Sequence, residues 1–170
     1  MEWQGIRKSY RSGAIGALMD EYERAASELS SLVERIPVDD FVRIVDAQTK
    51  DEDCRSVQTI MSHVVRASYG YADYIREQFA IASTRPESKL LSRQEALDQL
   101  DAALRYTVQT LDGKWEMSGE DISATVIKSR WGAVYDVEGL LEHAIVHILR
   151  HRRQIEKFIW QGLITVSPGG

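Results

Sequence analysis

Four histidines, His63, His143, His147 and His151, are the residues of this 170-residue chain whose type and spacing could do chemistry. The imidazole ring is the commonest metal-binding side chain. From His143 to His151 the rings recur every fourth residue, a spacing that on a helix brings two of them to one face, one turn apart, within reach of one ion. Three at successive steps of four cannot be equivalent. At about 100° per residue, the apolar stripe of this segment centres near Ile148 and Ile155, with His151 roughly 40°, His147 roughly 80° and His143 roughly 120° away. His147 and His151 are thus expected to face inward or along the stripe's edge, and His143 to drift toward solvent. His63 lies beside the stripe of an earlier segment, so the metal set that the wheel selects is His63, His147 and His151.

Three neutral imidazoles from two helices would hold a divalent cation at its full double charge and leave a position for water or substrate, as catalytic sites do. Such an ion can acidify a bound water or thiol and polarise a substrate oxygen. The competing reading is that each ring is a hydrogen-bonded core residue, since pairs four apart arise by chance. Against it, every histidine of the chain falls on just two helical segments. Other patterns are weaker. His143-Ala144-Ile145-Val146-His147 has zincin-like histidine spacing, but Ala144 stands where the general-base glutamate belongs. A carboxylate-bridged di-iron bundle needs Glu-x-x-His, and Ile60, Ala144 and Ile148 occupy the glutamate positions. No Gly-rich phosphate loop is present, and the glycines at 113, 119 and 132 read as turns. Cys54 is a reactive thiol at a helix start or, more plainly, an unpaired cysteine.

Four amphipathic segments must position these residues. The first, about Ser12 to Ile36, places Leu18, Tyr22, Ala25, Leu29, Leu32 and Ile36 on one face, and Pro37 ends it. The second runs from about Cys54 to Ala82 with the stripe Ile60, Val64, Ala67, Tyr71 and Tyr74, and Asp51, Glu52 and Asp53 suit its positive end. The third, about Ser92 to Leu111, opens on the capping-box pattern Ser92-Arg93-Gln94-Glu95. The fourth, about Asp136 to Gln161, starts at an Asp136 cap, carries Leu141, Ala144, Ile145, Ile148, Ile155 and Phe158, and stops at Gly162. An all-α four-helix bundle in a single domain over 1–170 is expected. Two connections, Val38–Asp53 and Asp112–Tyr135, are long enough to cap the open ends of the bundle, the preferred reading, or to form a substrate lid. Phe41-Val42-Arg43-Ile44-Val45 could be briefly extended, and the tail Ser167–Gly170 is expected to be mobile.

The chain is 44% apolar and 28% charged with a formal charge of −5, which excludes a disordered chain and gives no general drive toward phosphate backbones. The basic run Arg150-His151-Arg152-Arg153 suits the closing turns of a helix, and no nucleic-acid partner is expected. A single cysteine closes no internal disulfide, Met1–Lys8 lacks the apolar run of a secretory signal, and no stretch is long enough to span a bilayer. A cytoplasmic location without a membrane partner is the expectation.

The run His147-Ile148-Leu149-Arg150-His151-Arg152-Arg153-Gln154-Ile155 resembles the closing His-x-x-x-His-Arg-x-Gln-Ile motif of the DinB-like (DinB/YfiT) superfamily, which supplies two metal ligands. Gln58-Thr59-Ile60-Met61-Ser62-His63-Val64-Val65 is similar to that superfamily's second-helix segment with the third ligand. The resemblance implies the ligands His63, His147 and His151, the set that the wheel selects, and leaves His143 outside them in a supporting or surface role. It further implies a bundle in up-down-down-up order with long capping loops, a bound nickel or zinc ion, and a homodimer. That order requires the linker Ser83–Leu91 to run back along a helix, and nine extended residues span only about 30 Å.

Members with assigned activities are mostly metal-dependent thiol transferases and related isomerases or hydrolases, so the resemblance implies a small-molecule substrate and a low-molecular-weight thiol as a possible second cofactor. Gln154 and Arg152 could orient a ligand or anionic substrate, with a surface role as the alternative; Tyr71 and Tyr74 could line the pocket, although core packing is the better reading. The rival functional reading is a non-catalytic dimeric bundle in which the histidines hold a metal structurally or none, and a third is a metal-buffering or sensing protein.

Overall fold

The computed structural model describes residues 9–167, and the Met1–Lys8 and Pro168–Gly170 expectations lie outside them. The described residues are mostly helical. Four long helices, α1 (Gly13–Glu34), α3 (Val57–Gln78), α4 (Arg93–Thr110) and α6 (Val137–Trp160), are joined by two short ones, α2 (Val38–Val42) and α5 (Gly119–Ser123), and a small hairpin of β1 (Ile127–Lys128) and β2 (Val134–Tyr135). α3 packs against α4 and α6, and α1 packs against both of these. The shared core includes Ile15, Met19, Leu29, Ile60, Val64, Leu100, Leu140 and Ile148, all essentially inaccessible to solvent.

Local chemistry sets the helix boundaries. Ser56 and Thr59 form a reciprocal capping box at the start of α3, and Ser92 and Glu95 form the expected one at the start of α4. Asp136 caps α6 through the N–H of Gly139, 2.7 Å away. The start expected for the second helix is corrected: Glu52–Cys54 form a separate 3-10 turn and the helix begins at Val57. Asp53 is thereby left free to project sideways from that turn instead of sitting in the first turn of the helix.

The end is corrected too. α3 stops at Gln78, where Ala80 adopts a left-handed φ of 54° and the N–H of Ile81 closes on the Arg76 carbonyl at 2.8 Å. The connection to α4 therefore covers residues 79–92, longer than the nine residues expected, and the anticipated strain in spanning a helix disappears. It retraces α3 closely. Ser83 donates to Asp73, Thr84 N–H to the Tyr106 hydroxyl, and Leu91 N–H to the Ser62 hydroxyl.

The first long connection caps the bundle. Of the segment expected to be extended, Phe41 and Val42 close α2 instead, with Phe41 a fully buried anchor, while Arg43 leaves the helix with extended dihedrals; Asp40 accepts from both the N–H and the hydroxyl of Thr165. The second connection both caps and shapes the site: Ile122 and Ile127 join the core, whereas Lys128–Trp131 face a cavity. Gly132, with φ of 87°, makes the hairpin turn. Ser167, the last described residue, is tied by its N–H to the Arg35 carbonyl at 2.9 Å, so that part of the expected mobile tail is anchored.

Candidate metal centre

α3 and α6 pass each other with His63 facing His147 and His151. The ring centroids lie 4.9 Å apart for His63 and His147, 5.0 Å for His63 and His151, and 4.6 Å for His147 and His151. One nitrogen from each ring falls within 4.8 Å of the other two, and all three residues are half-buried. This is the set expected from the sequence, brought together across two helices.

The hydrogen-bond partners show which nitrogens are left to converge. His63 Nδ1 lies 3.0 Å from Asp53 Oδ2, so a carboxylate accepts its N–H and leaves a lone pair on Nε2. His151 Nδ1 lies 3.0 Å from Gln154 Oε1, which accepts in the same way and leaves Nε2 of that ring free. Nε2 of His147 is 2.9 Å from Nε2 of His63, while its buried Nδ1 has no partner among the described residues. Burial, then the proximity of His151 and His63, pushes the His147 pKa down to about 3, and burial also lowers that of His151. Both rings are neutral at neutral pH.

At 2.9 Å the two Nε2 atoms of His63 and His147 share one proton when either ring carries it there, and with both Nε2 lone pairs bare they can close on one cation. Adjacent ligands bonded to a first-row divalent cation at about 2.0–2.1 Å sit roughly 2.9–3.4 Å apart, so the His63–His147 spacing suits a shared ion. The residues present therefore fit a three-imidazole centre with the second-sphere orientation such centres use.

His143 is corrected. Instead of drifting to solvent it is half-buried, stacked on Trp131 with centroids 5.3 Å apart and planes 22° apart, and its Nδ1 is 3.2 Å from the Tyr135 hydroxyl. The wheel describes α6 alone, and the hairpin returns to cover the face that the helix leaves open. Tyr71 presents its edge to both His143 and His147, at 5.4 and 5.6 Å, so it lines the site as well as packing in the core. Tyr74 accepts the N–H of Arg130 at 2.9 Å and pins the hairpin turn to α3.

Arg152 does not approach the histidines. It pairs with Glu28 of α1 and with Glu156, so it ties α6 to α1 instead of orienting a ligand. Cys54 is held by Asp51 and Gln154, and burial raises its thiol pKa, which fits an unreactive cysteine better than a nucleophile. From the sequence Asp53 reads only as a helix-dipole charge; its partnership with His63 has no sequence signal, because nothing marks the 3-10 turn that carries it. Arg66 Nη2 also binds Asp53, at 2.6 Å.

Beside the triad opens a cavity of about 670 Å³, whose lining includes His63, Tyr71, Tyr74, Trp131 and His143. That volume suits a small organic molecule. A helical protein with converging imidazoles next to such a cavity has the layout of a metal-dependent small-molecule site.

Comparison with known proteins supplies the family. The sequence profile of the DinB family matches residues 10–162, and the chain belongs to that family. Its fold is similar to two solved structures: a DinB-like protein, YjoA, from Bacillus subtilis, at 15% identity and a TM-score of 0.59, covering 89% of this chain and 96% of that one; and a DinB-like protein from Bacillus cereus, at 16% identity and a TM-score of 0.62, covering 95% and 100%. No curated protein matches the chain in sequence. Among the described residues, no helix is long and apolar enough to cross a membrane.

Proposed function

We propose that this chain is a metal-dependent enzyme of the DinB family in which His63, His147 and His151 hold a divalent cation, nickel or zinc, and a small electrophile in the adjoining cavity is attacked by a low-molecular-weight thiol or by water. The observation that carries this reading is the convergence of three imidazoles whose outer nitrogens are already engaged or buried. When bound, the cation would supply Lewis acidity, lowering the pKa of a thiol or water and polarising a substrate oxygen. The chain's own residues do the positioning. Asp53 and Gln154 fix the rings of His63 and His151, and Tyr71 packs against His147 and screens it from water.

The same proposal takes 1–170 as one domain in up-down-down-up order, acting in the cytoplasm as a homodimer. Contacts along the helices support the order: Gln58 with Leu91, Tyr69 with Gln99 and Arg76 with Thr110 ascend together along α3 and α4. Between α3 and α6 the numbers descend, from His63 with His151 to Tyr71 with His143. Elemental analysis of the purified protein beside His63→Ala, His147→Ala, His151→Ala and His143→Ala tests the site. Each of the first three should lose bound metal and the fourth should keep it; equal loss in all four would overturn the ligand set.

A further inference from the structure

The lining of the cavity next to the triad combines two chemistries. Tyr71, Tyr74 and Trp131 supply aromatic surface, with Trp131 edge-on to both tyrosines at 6.3 and 5.9 Å. Four cations also line it, Arg66, Arg85, Lys128 and Arg130. Two are already neutralised: Arg66 by Asp53 and Arg85 by Asp73. Asp73 also accepts from Ser83 and Tyr106, so its charge is spent inside the connection that retraces α3.

Lys128 and Arg130 differ from these. Among the described residues neither has a carboxylate partner, and the one acid at the cavity not engaged in an ion pair is Glu77, which is exposed. Both cations sit on the hairpin, held in place by antiparallel pairing of Lys128 with Val134 and by the bond from Arg130 N–H to the Tyr74 hydroxyl. In a chain of net charge −5, the cavity lining carries two more cationic than acidic side chains, four against Asp73 and Glu77.

Resting on the enzyme reading above, the geometry points to a flat aromatic carboxylate as the ligand class of this cavity, its ring against Trp131 and the two tyrosines and its carboxylate on Lys128 and Arg130 of the hairpin. The ring has edges and faces to meet, since Trp131 remains about half exposed at 51%. The carboxylate meets donors that hold no other anion. The hairpin is thus the specificity element: it carries both the cations and the indole, and it belongs to the connection rather than to the helices that carry the triad.

Fluorine NMR titrations of the zinc-loaded full chain with 4-fluorobenzoate, 4-fluorobenzamide and 4-fluorobenzylamine separate charge from shape. The benzoate is expected to bind about tenfold more tightly than the amide, the amine more weakly still, as a charge-assisted contact at a partly exposed site allows. Lys128→Gln combined with Arg130→Gln should erase the benzoate's advantage while leaving the amide's affinity and the zinc content unchanged, and Trp131→Ala should weaken all three probes. Equal affinity of the unsubstituted protein for benzoate and amide, no binding of any probe, or a benzoate advantage that survives the double substitution would overturn the assignment. An advantage that survives it but is abolished by chelation would put the carboxylate on the metal instead. Zinc content measured on the same samples reports the triad separately, so a protein that binds benzoate through the hairpin without holding zinc refutes the enzyme reading and not this one.

Discussion

Asp53→Asn should weaken zinc binding about 10- to 100-fold, the usual cost of losing a partner behind a metal-binding imidazole, equivalent to about 1.4–2.8 kcal/mol. The structure gives the reason. Asp53 Oδ2 accepts from His63 Nδ1 at 3.0 Å and from Arg66 at 2.6 Å, so one anionic oxygen both fixes the His63 tautomer and absorbs a guanidinium charge beside it. An asparagine offers a neutral acceptor, whose hydrogen bond is roughly half as strong, and leaves Arg66, 3.1 Å from the same ring nitrogen, uncompensated near an incoming cation. Folding should hardly notice. The Asp53 side chain is 37% exposed, and ion pairs of that kind contribute less than about 1 kcal/mol to stability. Competition against a chromophoric zinc chelator measures the affinity, and urea unfolding of the metal-free protein measures the fold. Unchanged zinc affinity, or a loss of metal-free stability large enough to account for the weaker binding, would refute the argument that Asp53 acts by orienting His63.

Two further predictions concern the folded state. His147, pushed down to about 3 by burial and its neighbours, and His151 and His143, lowered chiefly by burial, take up protons in the unfolded chain near pH 6.5 but resist them when folded, so the unfolded state binds more protons and stability rises with pH across that window. The metal-free protein should lose stability as the pH falls from about 6.5 toward 3, and His147→Leu should flatten the dependence; a urea midpoint that holds steady or climbs in acid would contradict the burial of these rings. Phe41→Ala removes a fully buried ring that anchors α2 and should cost about 3–5 kcal/mol in urea unfolding, whereas a cost under about 1 kcal/mol would show that the first connection is not part of the core.

The amphipathic periodicity of the four long helices needs only one chain segment at a time, and for that reason their existence is readable without coordinates. Capping obeys the same local rule, which is why the Ser92–Glu95 box was found where the sequence put it. The inward lean of His147 and His151 also follows from one helix's own stripe. Short turns are less legible. Asp51, Glu52 and Asp53 read from the sequence as charges at the start of a helix, yet Glu52–Cys54 form a separate 3-10 turn and the Ser56–Thr59 box starts the helix a few residues on.

By itself, then, the sequence determined a mostly helical chain with two histidine-bearing helices and named the three rings that could meet. Tertiary structure alone decided what surrounds them. Asp53 reaches His63 because a turn redirects it, His143 is covered because the hairpin folds back over α6, and Arg152 is drawn to Glu28 on α1 rather than to the site. Each of these joins residues of different elements, and no periodicity within a single segment encodes it.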